Sequence, residues 1–372
     1  YPLGFVIFPY LCIFIENNKS KLNKKSLFLY SFVFGIGFFT SLLFWITNPF
    51  LIFEETSNYF FLSFVLVILI TIIFSLIFTL ITTYIKYLPI IITIPLIFIC
   101  TEIVVSNFIY GFPWITFTLI TSNNLLFLLI IKHFGTLVTS FLTLFLFCIP
   151  YLMFYKIKNK IKIYFMVLFI TPLIVVFLIQ KILDQNIQND IKETDIEIFQ
   201  INQKAILNYE EQEKEFQKIT KLISKSNSEI LIFAENNLPF KFNDKVKIIQ
   251  KLLKTNQTVI IGATTVRDNN FYNSLININK LDIKYYDKKI LVPFGEFLPF
   301  RNFLKFFEPI SGSNDYSEGA QIRKIQINKN FNYIPVICYE IIFYWKLIHD
   351  YNSNIDLIIN ITNDFWFGKY LG

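Results

Sequence analysis

Six long apolar stretches follow one another through the first half of the chain, at residues 1–15, 27–47, 60–84, 88–106, 134–155 and 163–183. A bilayer core of roughly 30 Å needs about 20 apolar residues per helix, and only a segment that satisfies its own backbone hydrogen bonds can cross it. A single run of this kind is also the signature of a helix buried in a soluble core. Six in series require a membrane bundle. The composition agrees, since 54% of the residues are hydrophobic and 16% charged, against about a quarter charged in an average soluble domain. Because Phe, Ile, Asn and Lys abound throughout, the arrangement of the apolar residues carries the argument rather than their number.

The loops between these runs alternate in charge. The first holds Lys19, Lys21, Lys24 and Lys25, the third Lys86, and the fifth Lys156, Lys158, Lys160 and Lys162. The second, around Glu54 and Glu55, and the fourth, residues 107–124, hold no basic residue. Basic loops stay in the cytoplasm, so whatever follows Leu183 is expected outside. Lys132 and Lys181 dissent mildly. A net charge of +7 is compatible with nucleic-acid binding, but these lysines sit in short loops between apolar runs, where positive charge sets topology. No nucleic-acid partner is expected.

The fourth loop reads Tyr110-Gly111-Phe112-Pro113-Trp114, a Gly/Pro turn among aromatics suited to the bilayer interface. Glu102 lies inside an apolar run. An intramembrane carboxylate marks a functional position by default, although Glu102 stands near the outer end, from where it is also expected to reach water.

From about Asp184 the pattern changes to short β-rich runs, at 196–201, 229–234, 258–264, 272–278, 333–338 and 357–361, with charged amphipathic stretches between them. Residues 208–224 and 244–254 read as helices. The chain therefore divides into a membrane α-helical bundle, residues 1–183, and an α/β or αββα layered domain, residues 184–372. It begins at Tyr1 without a methionine and stops at Gly372 directly after a motif-like stretch, as expected for a piece of a longer protein whose first helix is cut short.

Three segments of the polar half place an ionisable residue at or just past the end of an apolar run: Glu235 in Leu231–Pro239, Lys288 in Tyr286–Glu296, and Cys338 in Ile334–Glu340. Strand ends present side chains to a shared cleft, and the three types are chemically compatible. A thiol needs a base or a lowered pKa to act as a nucleophile, a carboxylate supplies the base, and an ammonium stabilises an oxyanion. From residue types alone, an ordinary buried strand-end cysteine is the commoner reading. The four cysteines, Cys12, Cys100, Cys148 and Cys338, show no paired or metal-binding spacing, so no metal and no cofactor are expected. Neither histidine, His133 or His349, is placed beside Cys338 by any pattern.

The segments Glu-Asn-Asn-Leu-Pro, Tyr-Asp-Lys with Leu-Val-Pro-Phe-Gly-Glu, Cys-Tyr-Glu, and Asn363-Asp364-Phe365-Trp366-Phe367-Gly368 occur in an order and spacing that resemble the nitrilase superfamily. The second and fourth resemble its apolipoprotein N-acyltransferase branch, as does the Gly-Phe-Pro-Trp loop. The resemblance implies a nitrilase-like αββα sandwich with Cys338 as acyl-accepting nucleophile, Glu235 as general base and Lys288 as oxyanion-stabilising residue. It further implies Glu296 as a carboxylate positioning the Lys or the incoming amine, Tyr339 and Glu340 as residues shaping the pocket, and Trp366, Trp114 and Phe112 at the substrate entrance. The implied partners are a phospholipid acyl donor, a diacylglyceryl apolipoprotein acceptor and membrane lipids, at the inner membrane with the catalytic domain in the periplasm. The chain departs from the family at Ala234-Glu235-Asn236-Asn237, where Pro-Glu-Thr or Pro-Glu-Ser is usual, so the base is kept and its supporting hydrogen bonds change. A membrane-anchored amidase shares the triad, but a small soluble amide needs no helical bundle. A transporter with an external domain leaves the Glu, Lys and Cys motifs unexplained.

Overall fold

The computed structural model describes residues 3–18, 21–85, 87–108, 110–154, 159–184, 193–201, 208–239, 244–327, 331–349 and 355–367. Lys19, Lys86, Lys156, Lys158 and Gly368 lie outside them, as do the side chains of Lys162, His349 and Trp366. The chain forms two compact units, one of Tyr1–Phe44 with Leu62–Asp190 and one of Trp45–Phe61 with Ile191–Gly372.

In the first unit the apolar runs are helices: α1 (Gly4–Asn18), α2 (Lys24–Leu43), α3 (Phe61–Tyr84), α4 (Ile90–Asn107), α5 (Leu125–Phe154) and α6 (Asn159–Asp184). Among the described residues four helical stretches, Lys24–Leu51, Glu54–Tyr84, Ile90–Asn107 and Leu125–Met153, are long and apolar enough to cross a membrane. Their interior is aromatic. Phe8 stacks on Phe147 at 5.7 Å and meets Phe98 edge-on at 5.3 Å, while Phe39 meets Phe74 edge-on at 5.5 Å. Leu29, Val33, Leu69, Leu80 and Met153 remain exposed, as expected of side chains that face lipid rather than water.

Two features of this unit differ from the sequence reading. The fifth helix begins at Leu125, not near residue 134, and is interrupted at Gly135 (φ 81°, ψ 175°). Glycine tolerates that geometry, and the Thr118 hydroxyl donates to the Thr136 carbonyl at 2.6 Å beside the break. Glu102 does not reach water. It is 4% exposed, and Ser140, Thr116 and the Phe117 N–H hydrogen-bond to its carboxylate.

The second unit holds two sheets. The larger has the order β1 (Ile196–Phe199), β2 (Ile230–Phe233), β3 (Thr258–Arg267), β4 (Asn270–Asn279), β5 (Ile283–Asp287), with β1–β2–β3 parallel and β3–β4–β5 antiparallel. The smaller has the order β6 (Ile325–Gln326), β7 (Asn332–Ile337), β8 (Leu357–Ile361). Strand periodicity distributes the core. Ile230 and Ile232 of β2 face Tyr333, Ile337 and Ile359 of the small sheet. Leu231 and Phe233 point the other way, against Phe216, Ile219 and Ile249 from α7 (Tyr209–Lys225) and α8 (Asp244–Leu252). On the far side of the small sheet Ile334 and Val336 pack on Leu347, which gives the αββα layering. An Asn208/Glu211 capping box starts α7. Strand β5 was not anticipated, since Ile283-Lys284-Tyr285-Tyr286-Asp287 is short and broken by charge. It is held as the edge of an antiparallel meander by its pairing with β4.

Gly262 in β3 positions the site. A methyl group there would lie 2.6 Å from both the Glu235 Cα and the Asn236 N, so glycine lets β3 run directly behind the turn that carries Glu235. Gly262→Ala is expected to cost about 1–3 kcal/mol through overpacking and to lower the thermal unfolding midpoint of the detergent-solubilised protein. Gly37→Ala, where the added methyl meets nothing within 4 Å, should leave that midpoint unchanged or slightly raised.

Candidate active site

Lys288 and Cys338 each sit one residue beyond a strand, after β5 and β7, and Glu235 two residues beyond β2. The Lys288 Nζ lies 2.9 Å from Glu296 Oε1 and 3.6 Å from Glu235 Oε1, and the lysine side chain is 1% exposed. Cys338 is hydrogen-bonded to Glu235 and lies within the electrostatic reach of Lys288 and Glu296. The three residues expected to converge therefore do so, together with Glu296.

Each is placed by a local device. Cys338 has φ +50°, in the left-handed region that costs an L-residue roughly 1–2 kcal/mol, where β7 turns into the 3₁₀ helix Cys338–Phe343. Glu296 is folded back by a tight turn, in which the Gly295 and Glu296 N–H groups bond the Val292 carbonyl. The Val292 N–H donates in turn to Glu296 Oε2 at 2.7 Å, which is the structural content of the Val-Pro-Phe-Gly-Glu segment. Lys288 is gripped through its backbone, its N–H donating to the Asn273 carbonyl at 2.8 Å and its C=O accepting from the Gly319 N–H at 2.9 Å. A Cβ on Gly319 would stand 2.1 Å from the Asp287 carbonyl oxygen, so only glycine lets this strap close. Asp287 is itself bonded by Ser274, Gln321 and Arg267.

Glu340 is fully buried. It accepts from the Tyr286 hydroxyl at 3.0 Å, the Lys289 and Ile290 N–H groups at 2.8 and 3.1 Å, the Ile337 N–H at 3.0 Å and Arg323 Nη2 at 3.0 Å. It thus ties the Lys288 loop to the Cys338 turn. Tyr339 packs edge-on against Phe343 at 5.1 Å. Phe112 and Trp114 stand in the helical unit with ring centroids 6.5 Å apart. Trp366 belongs to the 3₁₀ turn Asp364–Phe367, which is tied to β1 by the Gln200 amide donating to Asp364 at 2.9 Å. Asn237, at the departure from the family pattern, accepts from the Ala234 N–H at 3.0 Å and so braces the turn before Glu235.

Sequence reasoning missed Asn273, Arg323 and Tyr316. Asn273 donates to Glu235 Oε1 at 2.7 Å and Glu296 Oε1 at 2.6 Å. Polar residues recur along β4, at Asn273, Ser274 and Asn277, so the sequence does not single it out. Tyr316 bonds Thr264 at 3.0 Å, and its phenol is pushed up by burial.

The electrostatics assign work to each group. Burial pushes the Cys338 thiol well above the usual range and the Glu235 carboxylate pushes it further, against the Lys288 ammonium, which favours the thiolate. Burial works against the Lys288 charge, but Glu296 and Glu235 outweigh it and hold the lysine above its ordinary value. The resting site therefore has a neutral thiol beside a carboxylate and a firmly protonated ammonium.

Residues 1–149 match the family profile described as the apolipoprotein N-acyltransferase N-terminal domain, and residues 196–372 match that of the carbon-nitrogen hydrolases. The apolipoprotein N-acyltransferase of Wigglesworthia glossinidia brevipalpis is 27% identical over 392 residues, a match covering 97% of this chain and 75% of that protein. Those of Rickettsia prowazekii (strain Madrid E) and Vibrio cholerae serotype O1 are 34% and 26% identical, each match covering 39% of this chain and 30% and 32% of those proteins. With the fold and site described above, these matches define a membrane protein that carries a carbon-nitrogen hydrolase domain and acts as an acyltransferase. More narrowly, the two profiles in this order and the match along 97% of the chain make it similar to the apolipoprotein N-acyltransferases.

Because Lys288 opposes the rise of the thiol pKa, Lys288→Met should displace the pH profile of Cys338 alkylation by iodoacetamide to higher pH and slow the reaction at neutral pH. Rates measured across a pH series, with Cys338→Ala as the blank for the other cysteines, check this.

Proposed function

We propose that this chain transfers an acyl group from a phospholipid to the α-amino group of an N-terminal diacylglyceryl-cysteine on an apolipoprotein, through a thioester on Cys338. The observation that carries the reading is the convergence of Cys338, Glu235 and Lys288 at three strand ends within a chain whose other unit is a set of apolar helices. In the first half-reaction Glu235 takes the thiol proton as sulfur attacks the ester carbonyl, and Lys288 stabilises the oxyanion. Collapse expels the glycerol oxygen, which recovers that proton from Glu235 and departs as lysophospholipid. In the second half the acceptor amine attacks the thioester, Glu235 takes a proton from the nitrogen, and Cys338 leaves and is reprotonated, with an amide formed. A thiol raised in pKa is not a standing thiolate, so the base must act in both halves.

Phe112, Trp114 and Trp366 are proposed as residues of the substrate entrance, and Glu296 as the carboxylate that holds Lys288. The test is mass spectrometry of the full-length protein with phospholipid alone. An acyl adduct on Cys338 and a burst of lysophospholipid stoichiometric with enzyme are expected before any acceptor is added, followed by parallel double-reciprocal lines when both substrates are varied. Cys338→Ala should abolish the adduct, and loss of Lys288 should slow both halves by roughly 10². No lysophospholipid until the acceptor arrives would refute the covalent route.

The catalytic unit is proposed to face the periplasm of an inner-membrane protein, with residues 1–183 as the membrane domain and 184–372 as the catalytic one. The basic first, third and fifth loops support this. So does the placing of Trp45–Phe61, from the loop with no basic residue, in one compact unit with Ile191–Gly372. A reporter fused after Gln185 should be active only as a periplasmic enzyme; activity confined to the cytoplasm would reverse the topology.

A further inference from the structure

We propose that Asn273 is a positioning residue that keeps Glu235 and Glu296 both ionised around a single ammonium, a role that rests on reading Glu235 as the base for Cys338. The charges in the site do not balance by themselves. Two carboxylates, 5% and 9% exposed, face one cation, Lys288, through their Oε1 atoms at 3.6 and 2.9 Å. A buried carboxylate without compensation takes up a proton, and if that carboxylate is Glu235 it can no longer accept one from the thiol.

Asn273 supplies the missing compensation without adding charge. Its amide has two N–H donors, and they go to the same two oxygens that face Lys288, Glu235 Oε1 at 2.7 Å and Glu296 Oε1 at 2.6 Å. The chemistry fixes the orientation of the amide, because turning it over would set Oδ1 against two carboxylate oxygens. The cost is visible, since Oδ1 is buried with no hydrogen-bond partner among the described residues. The Asn273 backbone completes the arrangement, its carbonyl accepting the Lys288 N–H at 2.8 Å. Beyond Lys288, the titratable groups facing the carboxylates are Cys338 and Tyr316, with Tyr339 facing Lys288. The Val292 N–H donates to Glu296 Oε2 and the Asn363 N–H to Glu235 Oε2, so neither relieves the crowded Oε1 pair.

The test follows the rate of Cys338 alkylation by iodoacetamide against pH in the intact protein and in Asn273→Leu, which keeps the size and removes both donors. In the variant the acid limb of the profile should move to higher pH by about one unit or more, with the rate recovering above the displaced limb. A rate lowered equally at every pH with the limb unmoved would reduce Asn273 to a structural residue and overturn the proposal. Should the variant fail to fold, infrared difference spectra of the unsubstituted protein against Glu235→Gln and Glu296→Gln decide the matter. No protonated-carboxyl band is expected at neutral pH, and a band lost in either variant would overturn the proposal. Alkylation needs neither acyl donor nor acceptor. A displaced limb in a protein that forms no acyl-enzyme would therefore refute the transfer reaction and leave the role of Asn273 standing.

Discussion

The carboxylate of Glu340 binds together the two segments on which the reacting groups ride. Its oxygens collect N–H groups from Lys289 and Ile290, next to Lys288, and from Ile337, next to Cys338, besides the Tyr286 hydroxyl and Arg323. Hydrogen bonds to a charged acceptor are each worth about 1.5–3 kcal/mol, enough in combination to hold the left-handed Cys338 turn against its strain of roughly 1–2 kcal/mol. The ion pair with Arg323 is buried on both sides, at 2% and 0% exposure. Breaking such a pair leaves an uncompensated charge at a cost of about 3–5 kcal/mol. The spacing of the segments that carry Lys288 and Cys338 is therefore set by Glu340.

Around this brace the site separates acid from base by environment. Glu296 and Glu235 hold Lys288 in its charged form, as the proposed oxyanion role requires, and a charged ammonium cannot compete for the thiol proton. Burial and the neighbouring carboxylate keep the thiol neutral until attack. Glu235 is the remaining group that can move a proton, and its two oxygens are differently engaged. Oε1 is occupied by Asn273 at 2.7 Å, while Oε2 receives a longer contact, 3.4 Å, from the Asn363 N–H. Proton transfer is expected at the less engaged oxygen.

Much of this was legible in the sequence because each feature had a physical requirement that shows in how residues are arranged along the chain. Six apolar runs announced helices because lipid permits little else. Glu235, Lys288 and Cys338 stood at the ends of apolar runs because strand ends are where a sheet can present polar groups. Asn273, Arg323, Gly262 and Gly319 were illegible because their roles lie in distances between strands far apart in sequence. A glycine needed for a 2.6 Å approach to Glu235 looks like any other glycine. Strand β5 was hidden by its own charges, since an edge strand is specified by its partner, here the β4 run Ser274–Ile278, more than by its apolar pattern.

The segment Trp45–Phe61 was also unforeseen. It leaves one apolar helix and enters the next, yet it folds with the catalytic unit, where the Tyr59 hydroxyl donates to the Phe306 carbonyl at 2.8 Å and its ring meets Phe307 edge-on at 5.7 Å. The chain consequently passes between the units at three places rather than one. Phe307 is in turn in ring contact with Phe294 at 6.0 Å, in the same tight turn that folds Glu296 back onto Lys288. Packing is therefore continuous from the connection between two apolar helices to the turn whose carboxylate pairs with the Lys288 ammonium.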